Sequence, residues 1–469
     1  MYLTKDGRTA ERQNGRTAER QNGRTEERKN GRTAERQNGR TAERQNGTRT
    51  RLAKPLTLSE TSQVVPSALA MMLCNIDRIC LSVAMLPLAA EMGWAEGAQG
   101  IVQSAFLWGY VSTQLVGGTL ADRFGGKRVM AWGMVFFSVA SMLLPLVAIT
   151  PLTKSLGVVF PAVLLSRFLV GLGEGVALPS VNNMMARNID IRQRASAIGG
   201  MFTGFHSGNL VGLLLSPVLL ESFGWRSVFY TFGALGLPMA ALWNAVVPDH
   251  RPSKEASRST ESSTDESSSV SIRALLSSPA VWAIITANVI NHFGYFIYLN
   301  WMPTYFYKVL GMNLRASSFM SFVPWLVMAM GSVTTGIVTD LLINSGFDRT
   351  RMRKIVQSIA LLGPVVPLLA LSFGNLNASQ ALLALTCSLG LTSVGQFTAN
   401  ISEVAPTNAG KLFGLSNTFG CFSGIAGVSV AGFVVEKTGS FGSIFLMTAL
   451  LNVFGAIVWN VFATAERQF

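Results

Sequence analysis

The stretch SRFLVGLGEGVALPSVNNMM, residues 166–185, places Arg167 and Glu174 inside a run that is otherwise apolar enough for a membrane interior. An Arg or Asp at a bilayer centre costs about 2.5–3.5 kcal/mol on insertion scales. Reading this run as a membrane span decides the fold class. It also leaves two charges that need a purpose.

The rest of the chain settles the first point. Of 469 residues, 49% are hydrophobic and 13% charged, against about 25% charged in an average soluble protein. Residues 1–60 hold 15 of the 38 Lys+Arg and 8 of the 25 Asp+Glu. The basic excess therefore sits largely in a polar tail, and the isoelectric point near 10 is no sign of nucleic-acid binding. Cys74, Cys80, Cys387 and Cys421 all lie in apolar segments without C-x-x-C spacing, so they read as reduced packing thiols. Three histidines with no H-x-x-x-H spacing give no metal-site signal, and no cofactor is expected. An enzyme is not expected either: there is no nucleophile–base spacing, no P-loop and no soluble domain to house one.

Residues 7–46 are five tandem octads of the type GRTAERQN. Nothing in them can form a core, so residues 1–60 read as a disordered tail. From residue 64 onward, apolar segments recur near 64–90, 96–120, 129–150, 157–187, 194–221, 225–247, 278–307, 316–343, 354–374, 379–402, 409–435 and 441–463. Backbone groups dissolved in lipid must be satisfied internally, so these are twelve helices and the protein is an all-α membrane protein. With the N-terminus inside, the inner loops and C-terminus hold 16 Lys+Arg and the outer loops five. That asymmetry puts both termini on the cytosolic or equivalent side. The Ser-rich segment 249–277 reads as a flexible inner linker. It divides a six-helix half at 61–248 from a second at 278–469. GTLAD (118–122) is echoed by GIVTD (336–340), and ESFGWRSVF (221–229) by EKTGSFGSIF (436–445). Repeated halves about a linker place a ligand site between them at mid-membrane.

GGTLADRFGGKR, residues 117–128, resembles the loop signature G-x-x-x-D-R-x-G-G-[KR] of the major facilitator superfamily. Gly118 is expected to allow close helix approach, and Gly125 and Gly126 a tight turn. The resemblance makes Asp122, Arg123, Lys127 and Arg128 a charged latch at the inner surface that stabilises one access state without touching substrate. NIDRICLSVAMLP (75–87), SAFLWGYVSTQLVGG (104–118), GLGEGVALPSVNNM (171–184), LNWMPTYF (299–306) and FGLSNTFG (413–420) look like the anion:cation symporter family. That family includes sodium/phosphate, vesicular glutamate and sialic-acid transporters. The wording of GEGVALPSVNNM and NWMPTYF is most similar to the plastid phosphate branch.

Four ionic groups lie inside helices: Asp77 and Arg78 in the first, Arg167 and Glu174 in the fourth. Left alone in lipid they would cost on the order of 10–14 kcal/mol. Arg167 and Glu174 share a helix face about 10.5 Å apart, too far to pair with each other, so the first helix must supply the opposite charges. The expectation is a cavity with two arginines and two carboxylates. Its charges balance when empty. An anion on Arg78 and Arg167 would then require a proton or sodium ion at Asp77 or Glu174. Arginine suits the anion because its fork holds oxygens bidentately and stays charged. The resemblance implies the same division: Asp77 and Glu174 as protonation sites, Arg78 and Arg167 as anion ligands. Two salt bridges that merely lock the helices are the competing reading.

Tyr110, Asn209 and Asn417 are further candidates to line the cavity; His206 and His292 read as structural. Gly410, Gly414, Gly420, Gly424 and Gly427 read as a packing stripe. Gln103 and Asn291 stand where vesicular glutamate carriers have a His and an Arg, which argues for a smaller anion. The expected function is secondary active transport of an anion, foremost inorganic phosphate, with an organic-anion carrier or a non-transporting sensor as alternatives. The expected partners are the anion, a proton or sodium ion and membrane lipid, for a monomer in a plastid envelope, plasma or vesicle membrane.

Overall fold

Among the described residues of the computed structural model, ten helices are long and apolar enough to cross a membrane. Two more long helices, Glu96–Phe124 and Trp225–Val246, complete a set of twelve spans. The structure describes residues 58–189, 194–248, 271–395, 397–406 and 408–469. The octad tail and most of the linker lie outside these residues. No strand occurs among the described residues.

In chain order the helices are α1 (Leu58–Met92), α2 (Glu96–Phe124), α3 (Gly126–Ile149), α4 (Pro151–Ser155), α5 (Val159–Gly175), α6 (Ala177–Asn188), α7 (Arg194–Phe223), α8 (Trp225–Val246) and α9 (Ile272–Leu276). They continue with α10 (Pro279–Lys308), α11 (Leu314–Asn344), α12 (Arg349–Leu362), α13 (Val365–Phe373), α14 (Ala378–Thr392), α15 (Phe397–Val404), α16 (Ala409–Thr438) and α17 (Gly442–Phe462). The fourth, ninth and tenth spans are each made of two helices in line: α5–α6, α12–α13 and α14–α15. Apolar runs become helices because a helix satisfies its own backbone where water cannot.

The break after α5 has a local cause. Pro179 lacks an N–H, and its ring crowds the carbonyl four residues back, at Gly175. The helix therefore pauses at Val176, two residues beyond Glu174. Between α2 and α3 the turn is the single residue Gly125 at φ 87°, a region an L side chain resists. Gly126 is already helical, so the expected two-glycine turn is a one-glycine turn.

Within the first six spans, α1 packs on α7, α2 on α5, and α3 on α5 and α8; in the rest, α10 packs on α16 and α17, and α11 on α14. One apolar core gathers Leu81, Met85, Val102 and Phe229, and another Ile284, Phe397 and Trp459. The two sets of helices meet through α2–α16, α7–α11 and α1–α10.

That meeting is lopsided. On the side the loop charges mark as outer, Lys308 Nζ donates to Glu96 Oε1 and the Gly97 N–H to Glu436 Oε2 at 2.8 Å. Ser429 and Ser104 hydroxyls bond at 2.9 Å, and Arg315 and Glu221 approach to 3.8 Å. A Cβ on Gly100 would stand 2.9 Å from the Val428 carbonyl oxygen. Toward the inner side, a Cβ on Gly118, Gly410 or Gly414 would meet nothing within 4 Å. The helices are closed at the outer end and parted at the inner end. This also corrects the expectation for Gly118: in this arrangement it makes no close approach, because no neighbouring helix comes within 4 Å of a Cβ there. Gly117, its neighbour, is the one against α5–α6, with the Val176 Cα 3.1 Å from a Cβ there.

Candidate functional site

The four intramembrane charges form two crossed pairs between α1 and α5. Arg78 Nε donates to Glu174 Oε2 at 2.7 Å. Arg167 Nη1 donates to Asp77 Oδ2 at 3.4 Å. Consecutive residues of α1 thus reach two α5 residues a heptad apart, which the α5 pitch stacks on one face. Asp77 also accepts a hydrogen bond from the Ser141 hydroxyl of α3, and Ser166 bonds the Ala140 carbonyl beside it. Asp77, Arg167 and Glu174 are 2%, 1% and 0% exposed, and Arg78 is 8% exposed. Arg78 is thus the charged group nearest to solvent.

Aromatic rings enclose the arginines. The Arg78 guanidinium lies 4.5 Å from the Tyr110 ring centroid, 5.0 Å from Phe106 and 5.5 Å from Phe205. Arg167 lies 5.6 Å from the Phe106 ring. Ring faces add roughly 0.5–2 kcal/mol each to a desolvated cation and leave its in-plane donors available. Arg78 spends Nε on Glu174, so its two terminal nitrogens form the fork an oxyanion would meet.

Several buried polar atoms here have no hydrogen-bond partner among the described residues: Arg167 Nε, Glu174 Oε1 and both amide atoms of Gln103. Such groups are rare in folded interiors and cost about 1–3 kcal/mol each. Tyr295 of α10 faces Asn75 and Asn209, so the cluster joins the two halves. Behind Tyr295, a small cavity of about 20 Å³ is lined by Asn291, Tyr298, Trp325, Gln357 and Asn452, room for a water molecule. Its lining is uncharged. Among the described residues, the charges at mid-membrane are those on α1 and α5.

Tyr110 and Asn209 are in the cluster. Asn417 sits one turn from Cys421, whose thiol is 3.7 Å from Gln114 Oε1 of α2. It is at the interface of the halves, with no contact to the arginines. His292 is satisfied locally, its Nδ1 3.1 Å from the Asn288 carbonyl, and His206 packs edge-on to Phe205. In the latch, Asp122 accepts from Arg187 Nη2 at 3.0 Å and Asn183 Nδ2 at 2.5 Å, both on α6. Arg123, Lys127 and Arg128 make no ion pair among the described residues. Where a four-residue latch was expected, the structure shows an Asp122–Arg187 clasp, because Arg187 and Asn183 of α6 occupy the Asp122 carboxylate. Gly126 packs directly on the Ser180 carbonyl and fixes that clasp.

Sequence reasoning missed Tyr295, Asn75 and Ser141. A single Tyr or Asn within an apolar span reads as helix packing; only the tertiary arrangement turns these residues inward together.

Residues 67–428 match the model of the Major Facilitator Superfamily. The chain is 40% identical over 420 residues to "Probable anion transporter 3, chloroplastic" of Arabidopsis thaliana, covering 87% of this chain and 80% of that one. It is 37% identical over 409 residues to "Sodium-dependent phosphate transport protein 1, chloroplastic" of the same plant, covering 85% and 78%. Among solved structures, a D-xylose–proton symporter superposes with a TM-score of 0.72 over 87% of this chain and 99% of that one, at 15% identity, a likeness of fold alone. The chain belongs to the Major Facilitator Superfamily, in the branch that holds these chloroplastic anion transporters.

Proposed function

We propose that the protein is a secondary transporter of inorganic phosphate, driven by a proton or sodium ion, acting by alternating access as a monomer in the plastid envelope. The observation that carries this reading is the almost fully buried Arg78–Glu174 contact at 2.7 Å. Substrate anion and Glu174 compete for one guanidinium. With Glu174 ionised and Arg78 bound to it, the four charges sum to zero. A proton on Glu174 releases Arg78, whose terminal nitrogens then take the anion. A sodium ion between Asp77 and Glu174 would offset the anion in the same way. Arg167, held by Asp77, is the second anion ligand, and Tyr110, Asn209 and Asn417 line the path. The inward opening described above exposes Arg78 first. The relatives' names, which speak of anion and phosphate transport in chloroplasts, support the substrate class and the membrane.

Residues 1–60 are a dispensable tail in this reading, 61–248 and 278–469 are the two moving halves, and 249–277 is the tether. The test is uptake of labelled phosphate into proteoliposomes under imposed pH or sodium gradients, with ascorbate, hexonates and dicarboxylates as competitors. Gradient-dependent phosphate uptake that survives removal of residues 1–60 supports the reading. Competition by an organic acid below phosphate's own half-saturating concentration would move the substrate to that acid.

A further inference from the structure

Away from the charged site, α2, α3 and α5 enclose a groove of about 880 Å³ that opens sideways, toward the membrane. Its walls are apolar, and its long axis follows α3 from Arg128 to Leu143. Fifteen residues of helix span about 22 Å, more than the ~15 Å of one hydrocarbon leaflet. Val139 and Leu143 are 43% and 37% exposed within it.

The inner end of the groove is different. Arg128 lines it, and so does Phe124, with the Arg123 guanidinium 5.3 Å from that ring. Lys127 is next in sequence. No carboxylate among the described residues pairs with these three, and the neighbouring Asp122 is taken by Arg187 and Asn183. Trp132, 75% exposed, lies one turn further along α3, about 6 Å from Arg128 along the helix axis, and tryptophans favour the headgroup boundary.

We propose that this groove is a binding site for one membrane lipid with an anionic headgroup. The acyl chain lies along α3 and the headgroup meets Arg123 and Arg128. Charge complementarity selects the occupant. A zwitterionic lipid or a detergent tail would fill the apolar part but gain little from the arginines. Each Lys or Arg near an anionic membrane surface contributes about 1 kcal/mol, roughly a fivefold change in binding. The groove floor includes Leu172 and Gly173 of α5, and the next residue is Glu174. A lipid seated here therefore backs the helix that carries the coupling carboxylate.

The test is native mass spectrometry of the purified full chain, titrated with phosphatidylglycerol or phosphatidylcholine after delipidation. The expected result is one phosphatidylglycerol retained per protein, with phosphatidylcholine at least fivefold weaker. Arg123→Gln together with Arg128→Gln should weaken phosphatidylglycerol by about thirtyfold. Val139→Trp, which fills the groove at a lipid-facing position and leaves the charges alone, should remove retention while the protein stays monodisperse. Equal retention of the two lipids, or retention unchanged in both variants, would show a nonspecific lipid annulus and overturn the proposal. So would a mass corresponding to a second copy of the chain that the Val139→Trp variant abolishes.

Discussion

Glu174 Oε2 and Arg78 Nε stand 2.7 Å apart between α1 and α5, while the other Glu174 oxygen has no hydrogen-bond partner among the described residues. The carboxylate is committed on one side and open on the other, as a group that exchanges its partner for a proton would need to be. Glu174→Gln mimics the protonated acid permanently. Phosphate–phosphate exchange across proteoliposomes should persist, while gradient-driven accumulation falls about tenfold or more. Equal retention of both activities would remove Glu174 from coupling.

Arg78→Ala leaves Glu174 buried without its cation, at about 3–5 kcal/mol. Thermal stability in detergent should fall and transport should cease. The double variant Arg78→Ala/Glu174→Ala removes both charges and should regain much of the stability without regaining transport. If transport returns with stability, the pair is only a helix lock.

Arg167→Lys keeps the charge toward Asp77 but loses the planar fork. Phosphate KM should rise about tenfold or more while the variant remains folded; an unchanged KM would exclude Arg167 from anion binding.

The two ends of the α2–α16 interface should respond in opposite ways to added bulk. A side chain at Gly100 meets the Val428 backbone at 2.9 Å, so Gly100→Val should prop the outer end open. At Gly118 the space is free in this arrangement, so Gly118→Leu should leave the inward-open form intact and hinder only the closing of the inner end. Thiol labelling of single cysteines placed near each end reads this out. Outer-end labelling should rise in the first variant and inner-end labelling in the second. The same change in both would contradict rocking about the central contacts.

Tyr295→Phe removes a hydroxyl that faces Asn75 and Asn209 and adds nothing. In the proposed reading that hydroxyl reaches the anion from the second set of helices, and losing one hydrogen bond to a charged ligand costs about 1.5–3 kcal/mol, so phosphate KM should rise roughly tenfold or more. No change would assign the hydroxyl to packing.

The twelve spans were legible because hydrophobic length and loop charge are local properties of the chain. The α5 charges were legible too, since an ionic group in a lipid-length run demands a partner and α1 held the only candidates nearby. What escaped was anything that depends on which way a helix is turned. Tyr295 and Asn75 are single polar residues in apolar runs, indistinguishable there from packing contacts. Arg353, one of the 16 inner Lys+Arg counted from the sequence, proves to be 8% exposed and bound to Glu403 at 2.9 Å, because it lies in the second turn of α12 and not in the loop before it. Gly118 misled for another reason. A glycine's neighbour depends on which access state the helices occupy, and no linear motif records that.

The crossed pairing of α1 with α5 has an electrical consequence. Two cations matched by two anions make the unliganded centre a quadrupole with no monopole, so a transmembrane voltage, worth about 2.3 kcal/mol per charge per 100 mV, has nothing in it to pull on during the return stroke. Voltage would then act only through the ions carried, and the current per turnover would count the stoichiometry of the cargo directly.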